Sequence, residues 1–477
     1  MGEPKGFLLH ERKDAPKRPV AERVLDFAEV ETRLPHHHLE TQAARCMDCG
    51  IPYCHTFGCP VGNLIPDWND MVFRGQWRRA LALLHATNSL PEITGRVCPA
   101  PCEPACTLAI NQPAVTIKQI ELQLVERGWE KGWIQPEPAG WKTGRKVAVV
   151  GSGPTGLAAA QRLARLGHEV AVFERSDRVG GILRYGIPDF KLEKWVIDRR
   201  IEQMRAEGVR FETGVDVGED VSARYVSRTF DAVLIAAGAR VPRDLDVPGR
   251  GLGGVHFAME FLAQQNRVNG GETIPGDARI TTRDRNVVVV GGGDTGSDCV
   301  GTARRQGARK ITQIELLPEP PKERTPDNPW PTWPNTVRTS SSHEEGCERM
   351  WSVLTKELAG ENGRVGKLRC VRIEWSAPDA SGRRSFKEVP GSEFEVEADL
   401  VLLSMGFLRV EHGSLTRDFG LATDARGNLQ VDATLMTSAP GVFAGGDAVL
   451  GASLVVRAID LGQRAATRIH EYLGREP

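Results

Sequence analysis

The chain has 477 residues, enough for about two to four domains, and sets 61 Lys+Arg against 62 Asp+Glu for a net charge of −1. That balance lacks the basic excess on which nucleic-acid affinity rests. No apolar run reaches the roughly 18 residues of a membrane span, and the N-terminus MGEPKGFLLHERKD has no signal-peptide core, so a cytoplasmic protein with neither nucleic-acid nor membrane partners is expected.

Residues 1–140 show no strand–helix alternation; helical stretches at Trp77–His85 and Ile117–Arg127 are broken by Cys/Pro/Gly turns. Seven of the ten cysteines fall here, as Cys46-x2-Cys49-x4-Cys54-x4-Cys59 and Cys98-x3-Cys102-x3-Cys106. An odd, clustered set in a cytoplasmic chain suits metal better than disulfides. Structural zinc sites usually pair two CxxC units, and here one CxxC unit stands alone, so iron–sulfur clusters are expected ahead of zinc. Seven thiolates are one short of two four-coordinate clusters, which leaves an eighth ligand that is not cysteine.

After a linker at Gln135–Gly144, the apolar strand Lys146–Val150 leads into Gly151-Ser152-Gly153-Pro154-Thr155-Gly156, a helix at Leu157–Leu166 and a strand at Val170–Glu174. Gly151 permits the tight turn, Gly153 lets backbone approach a pyrophosphate, and Gly156 lets helix and strand pack closely. Glu174, 23 positions after Gly151, is placed to accept from a ribose diol. The same pattern returns at Asn286–Val290, with Gly291-Gly292-Gly293-Asp294-Thr295-Gly296, a helix near Thr295–Gln306 and a strand near Lys310–Leu316. Gly291, Gly293 and Gly296 take the corresponding roles. Seven prolines between Pro318 and Pro334 rule out helix or central strand, and two tryptophans suit a loop packed against something. Strand–turn–helix grammar closes the chain at Gly441–Arg468.

Two short motifs resemble those of flavoproteins built from two dinucleotide domains. Arg178-Val179-Gly180-Gly181 is similar to their second fingerprint, where paired glycines pass close to FAD. Val442-Phe443-Ala444-Gly445-Gly446-Asp447 is similar to their closing motif, in which the aspartate bonds the ribityl chain and the helix after it points its N-terminus at the flavin ring. The α/β fold expected is thus a helical iron–sulfur domain (1–140) followed by two Rossmann-like domains, an FAD domain (145–250 and 401–477) with an NAD(P)H domain (251–400) inserted. Hydride transfer between stacked rings needs no side-chain acid or base, and none is nominated.

In order and over almost the whole chain, the cysteine groups, GSGPTG, RVGG, GGGDTG and VFAGGD resemble the glutamate synthase small (β) subunit, whose module recurs in dihydropyrimidine dehydrogenase; Asp327–Pro334 (DNPWPTWP) resembles the glutamate synthase form in particular. The resemblance implies two [4Fe–4S] clusters, FAD, and NADH or NADPH. It implies Cys46, Cys49, Cys54 and Cys106 on one cluster, and Cys59, Cys98, Cys102 and Glu121 on the other. It also implies a large (α) subunit that carries FMN and makes L-glutamate from glutamine and 2-oxoglutarate. A chain that starts Met-Gly, without an FMN-barrel pattern, is expected to leave that chemistry to the partner. The rival reading is an electron-transfer subunit for another acceptor, such as ferredoxin. Many NADPH-using members carry basic residues at the end of the second nucleotide strand, whereas Glu315 stands there in this chain; a carboxylate repels a 2′-phosphate and suits NAD. Arg304 and Arg305 in the preceding helix are the opposing candidates for meeting that phosphate.

Overall fold

The computed structural model describes residues 2–379 and 382–474. From Gly6 to Glu130 the described elements are helices joined by loops. Helix Trp77–Thr87 shows why: Trp77, Ala80, Leu81 and Leu84 are its buried residues, one face of a 3.6-residue period. They pack with Trp68, Ile120 and Leu124 into a core that also contains Cys46, Cys54, Cys102 and Cys106.

Two parallel sheets follow. The first runs Val442–Ala444, Ala232–Ile235, Lys146–Val150, Glu169–Glu174, Val209–Thr213. The second runs Val255–Phe257, Leu400–Leu403, Asn286–Val290, Lys310–Ile314, Glu348–Met350. Their central strands, KVAVV and NVVVV, are buried beyond their first residue, as strands covered on both faces must be. The α/β class with a helical N-terminal unit is therefore as expected. Leu400–Leu403 belongs to the second sheet, so the return to the first lies beyond residue 400. Entry and exit sit side by side, because Val241–Pro242 pairs antiparallel with Phe407–Arg409. An antiparallel sheet built on Val353–Glu361 and Arg364–Trp375 was not visible in the sequence.

The units share buried contacts. Leu90 and Ile93 of the cysteine unit lie in the core of the first sheet with Val147, Leu157 and Ile459. Arg200 of helix Lys194–Ala206 is paired, fully buried, with Glu92. On the other side, Glu345 accepts from both Arg23 and Arg305, and the Arg305 guanidinium lies 4.0 Å from the centroid of the Phe190 ring. The Pro/Trp loop packs on the cysteine unit: Trp330 Nε1 donates to the Cys106 carbonyl at 3.3 Å, and its ring centroid is 4.7 Å from that of Tyr53. Among the described residues no helix is long and apolar enough to cross a membrane.

Candidate dinucleotide and iron–sulfur sites

One cavity of about 2410 Å³ touches both glycine turns. At each turn the chain passes where a side chain has no room: a Cβ on Gly151 (φ +104°) would sit 2.4 Å from the Ala236 carbonyl oxygen, and one on Gly291 (φ +119°) 2.4 Å from that of Ser404. Likewise a Cβ on Gly156 or Gly296 would strike the carbonyl oxygen of Gly151 or Gly291. Gly153 and Gly293 face open space, the side from which a pyrophosphate approaches the N-termini of helices Pro154–Arg165 and Asp294–Arg305.

Glu174 is buried and fastens the first turn. It accepts from Ser152 N at 3.1 Å, from Ser152 Oγ at 2.5 Å and from Ser176 N at 2.8 Å. A carboxylate offers about four lone-pair sites, so acceptor capacity remains for a ribose hydroxyl. The Ser152 hydroxyl in turn accepts from Gly180 N at 2.9 Å, and a Cβ on Gly181 would lie 3.0 Å from Gly153 Cα. The RVGG loop is thereby laid against the GSG turn. Asp447 lines the same cavity, accepts from Ser453 Oγ at 2.6 Å, and has its carboxyl pushed up by burial. The helix directly after Gly446 is four residues long and lines the cavity with its first residue, Asp447; the start of the later helix Val455–Leu473 lines it too.

At the second turn Glu315 Oε2 accepts from Gly292 N at 2.6 Å and Oε1 from Leu317 N at 3.0 Å. Its remaining lone pairs suit the two hydroxyls of an unphosphorylated ribose. Arg304 and Arg305 do not come to this site. They occupy the last turn of a 12-residue helix whose first turn lines the cavity, a separation of roughly 15 Å along its axis. Arg305 is committed to Glu345 with no exposed side-chain surface, and Arg304 is exposed outside the cavity lining. The two arginines are near the turn in sequence, but the helix axis carries them to its far end. Arg338, which does line the cavity, was missed.

The cysteines form two sets. Burial raises the Cys46 thiol to about 11 and pushes Cys54 and Cys106 up as well; repulsion couples Cys46, Cys49, Cys54 and Cys106 to one another. Burial raises Cys59 and Cys98 to about 12 and Cys102 well above its usual range, and the charges these three feel include Glu121. Cys46, Cys49, Cys54 and Cys106 thus lie near enough to act on one another, and Glu121 near enough to act on Cys59, Cys98 and Cys102. Gly58 lets the two cysteine segments come close: a Cβ there would be 2.7 Å from Cys102 Cα. Among the described residues no three such donors converge as they would around one metal ion. Glu121 is buried at the end of a polar cage. It accepts from Asn63 Nδ2 at 3.1 Å, Asn88 Nδ2 at 3.3 Å and Thr94 Oγ1, and burial raises its carboxyl to about 7. Phe57, Gly58, Pro60, Pro99 and Pro101, neighbours of Cys59, Cys98 and Cys102, line the cavity, so this second set is the one whose loops reach it.

Comparison with known proteins fits this arrangement. The family described as pyridine nucleotide-disulphide oxidoreductase matches residues 145–464, and that described as dihydropyrimidine dehydrogenase domain II, 4Fe-4S cluster, matches residues 23–133. The class is thus an NAD(P)H-dependent oxidoreductase with an N-terminal 4Fe–4S domain. Among full-length relatives, the glutamate synthase [NADPH] small chain of Mycobacterium tuberculosis is 52% identical over 477 residues, covering 99% of this chain and 96% of the relative. That of Bacillus subtilis is 42% identical over 488 residues, covering 99% of each. The glutamate synthase [NADH] of Schizosaccharomyces pombe is 45% identical over 476 residues, which are 98% of this chain and 22% of that much longer protein. The chain belongs to the glutamate synthase small-chain family. The solved structure of Mycobacterium tuberculosis FprA in complex with NADPH shares the fold, with a TM-score of 0.56 at 20% identity over 69% of this chain and 85% of that one.

Proposed function

We propose that the chain is the electron-input subunit of a cytoplasmic glutamate synthase: it oxidises NAD(P)H, with NADH preferred, and delivers electrons to the FMN of a large subunit that forms L-glutamate from glutamine and 2-oxoglutarate. FAD, when bound, converts a two-electron hydride donor into single electrons, and [4Fe–4S] clusters carry them singly. Gly151, Gly153, Gly156, Glu174, Gly180, Gly181 and Asp447 would hold FAD; Gly291, Gly293, Gly296 and Glu315 would hold the nicotinamide nucleotide. Cys59, Cys98, Cys102 and Glu121 would hold the cluster nearer the flavin, and Cys46, Cys49, Cys54 and Cys106 the other. The domain division follows the same lines: a cluster unit to about residue 140, then a flavin unit interrupted by the nucleotide unit.

The observation that supports this reading most is that both glycine turns and the loops of the second cysteine set line the same cavity, which would let donor, flavin and one cluster share it. The relatives' names support a large-subunit partner, since a small chain implies a large one. They divide between NADPH and NADH, so donor choice is read from the residues, and Glu315 favours NADH. The test is purification with cofactor analysis and co-purification. FAD, about eight irons per chain and acid-labile sulfide are expected, together with recovery of a large FMN protein on the tagged chain. Stoichiometric zinc without sulfide would remove the clusters, and ferredoxin recovered in place of the FMN protein would change the partner.

A further inference from the structure

We infer that Arg338, at the end of the Pro/Trp-rich loop, is the cation that binds a phosphate of the nicotinamide dinucleotide. The inference deepens the dinucleotide reading of the second glycine turn and rests on it. Arg338 lines the cavity together with Gly291, Gly293, Asp294 and Trp333. It lies close enough to Asp294, the first residue of the helix whose N-terminus faces the site, for the two charges to interact. Its guanidinium is stacked 3.7 Å from the centroid of the Trp333 ring, which fixes the plane of the fork, and its Nη2 donates to Pro334 O at 3.1 Å. Its backbone is held too, because Arg349 Nη1 donates to the Arg338 carbonyl at 3.0 Å. Among the described residues no carboxylate lies within ion-pair distance of it, unlike Arg175 and Arg240 in the same cavity, which both reach Glu411.

A braced, planar cation without a carboxylate partner, beside a helix N-terminus, is built for a phosphate, whose oxygens the fork meets two at a time. The loop that carries it is anchored at the far end, where Trp330 bonds Cys106 O and Arg324 bonds Pro104 O at 3.4 Å. The Pro/Trp segment therefore acts as a clip: fastened to the cysteine unit, it presents Arg338 to the nucleotide.

The experiment titrates FAD-loaded wild type, Arg338→Gln and Arg338→Lys with NAD⁺ and NADP⁺, following binding by calorimetry. Arg338 is solvent-exposed, so flavin content and thermal midpoint should stay at the wild-type level in both variants. Binding to the Gln variant should weaken by about ten- to hundredfold, and Lys, which keeps charge without the fork, should recover part of it. Equal losses for the two nucleotides assign Arg338 to the pyrophosphate; a loss confined to NADP⁺ assigns it to the 2′-phosphate. Either result supports the phosphate contact. Unchanged affinity for both nucleotides in Arg338→Gln overturns it while leaving the glycine-turn reading intact. A wild type that binds neither nucleotide overturns both.

Discussion

Arg200 and Glu92 meet through two hydrogen bonds, Nε to Oε1 at 2.6 Å and Nη2 to Oε2 at 2.7 Å, with the two side chains 3% and 0% exposed. One belongs to the unit that carries the cysteines and the other to the unit that carries the flavin turn, so this pair fixes the spacing between them. Removing one partner strands a buried charge, whereas replacing both with apolar groups does not. Glu92→Ala should cost about 3–5 kcal/mol. The double variant Glu92→Met with Arg200→Leu should recover most of that loss. Urea denaturation of both variants checks it, and a double variant no more stable than Glu92→Ala would show that the loss does not come from a stranded charge.

Glu121→Ala should damage one cluster and spare the flavin. Glu121 lies near enough to Cys59, Cys98 and Cys102 for their charges to interact, and it is held by Asn63, Asn88 and Thr94. Iron should fall towards half of the wild-type value with FAD unchanged, and the EPR signal of one cluster should vanish. Full iron with both EPR signals intact removes Glu121 from the ligand set.

Donor choice should follow Glu315. NADH should be the better donor for the wild type, and Glu315→Arg should turn selectivity towards NADPH, since a charge-assisted bond is worth about 1.5–3 kcal/mol. The measurement is kcat/KM for each donor with an artificial acceptor. A wild type that already favours NADPH tenfold would mean that the carboxylate is outweighed.

Acid stability should depend on two histidines. Burial lowers His85 to about 3 and His168 to about 4, against roughly 6.5 in an unfolded chain. Both are neutral in the fold at pH 6, and unfolding lets them take up protons. The stability they contribute is therefore whole above pH ~6.5 and drains away as pH falls towards 4, at up to about 1.4 kcal/mol per pH unit for each. His85 Nε2 is enclosed without a hydrogen-bond partner among the described residues. His85→Leu should flatten the stability profile between pH 6.5 and 4. A slope matching wild type would show that His85 titrates alike in the folded and unfolded chains.

What was legible in the sequence was whatever backbone geometry permits only one residue type to do. Gly151 and Gly291 announce turns because no Cβ fits beside Ala236 or Ser404. The cysteine groups announce clusters because thiolates at such spacing have few other uses. Glu121 was reached through resemblance, since nothing in the local pattern of helix Ile117–Glu130 distinguishes it from a surface glutamate. Arg338 was invisible for a different reason. It sits 23 positions beyond Glu315, after a loop with no periodicity, and only tertiary folding returns it to the cavity that Glu315 also lines. The antiparallel strands after Val353 were hidden likewise, because amphipathic strands of mixed charge carry a weak signal.

The ribbon formed by Val241–Pro242 and Phe407–Arg409 places the entrance and exit of the inserted unit next to each other. Adjacent termini are what make an insertion removable. A gene in which codons 244–405 are replaced by a short turn should therefore still encode a chain able to close the first sheet, at the cost of exposing Arg23 where Glu345 now covers it. Such a protein would be a relay without a biological input, open to charging by light-driven or electrode donors, and it would let outflow be timed independently of nicotinamide chemistry.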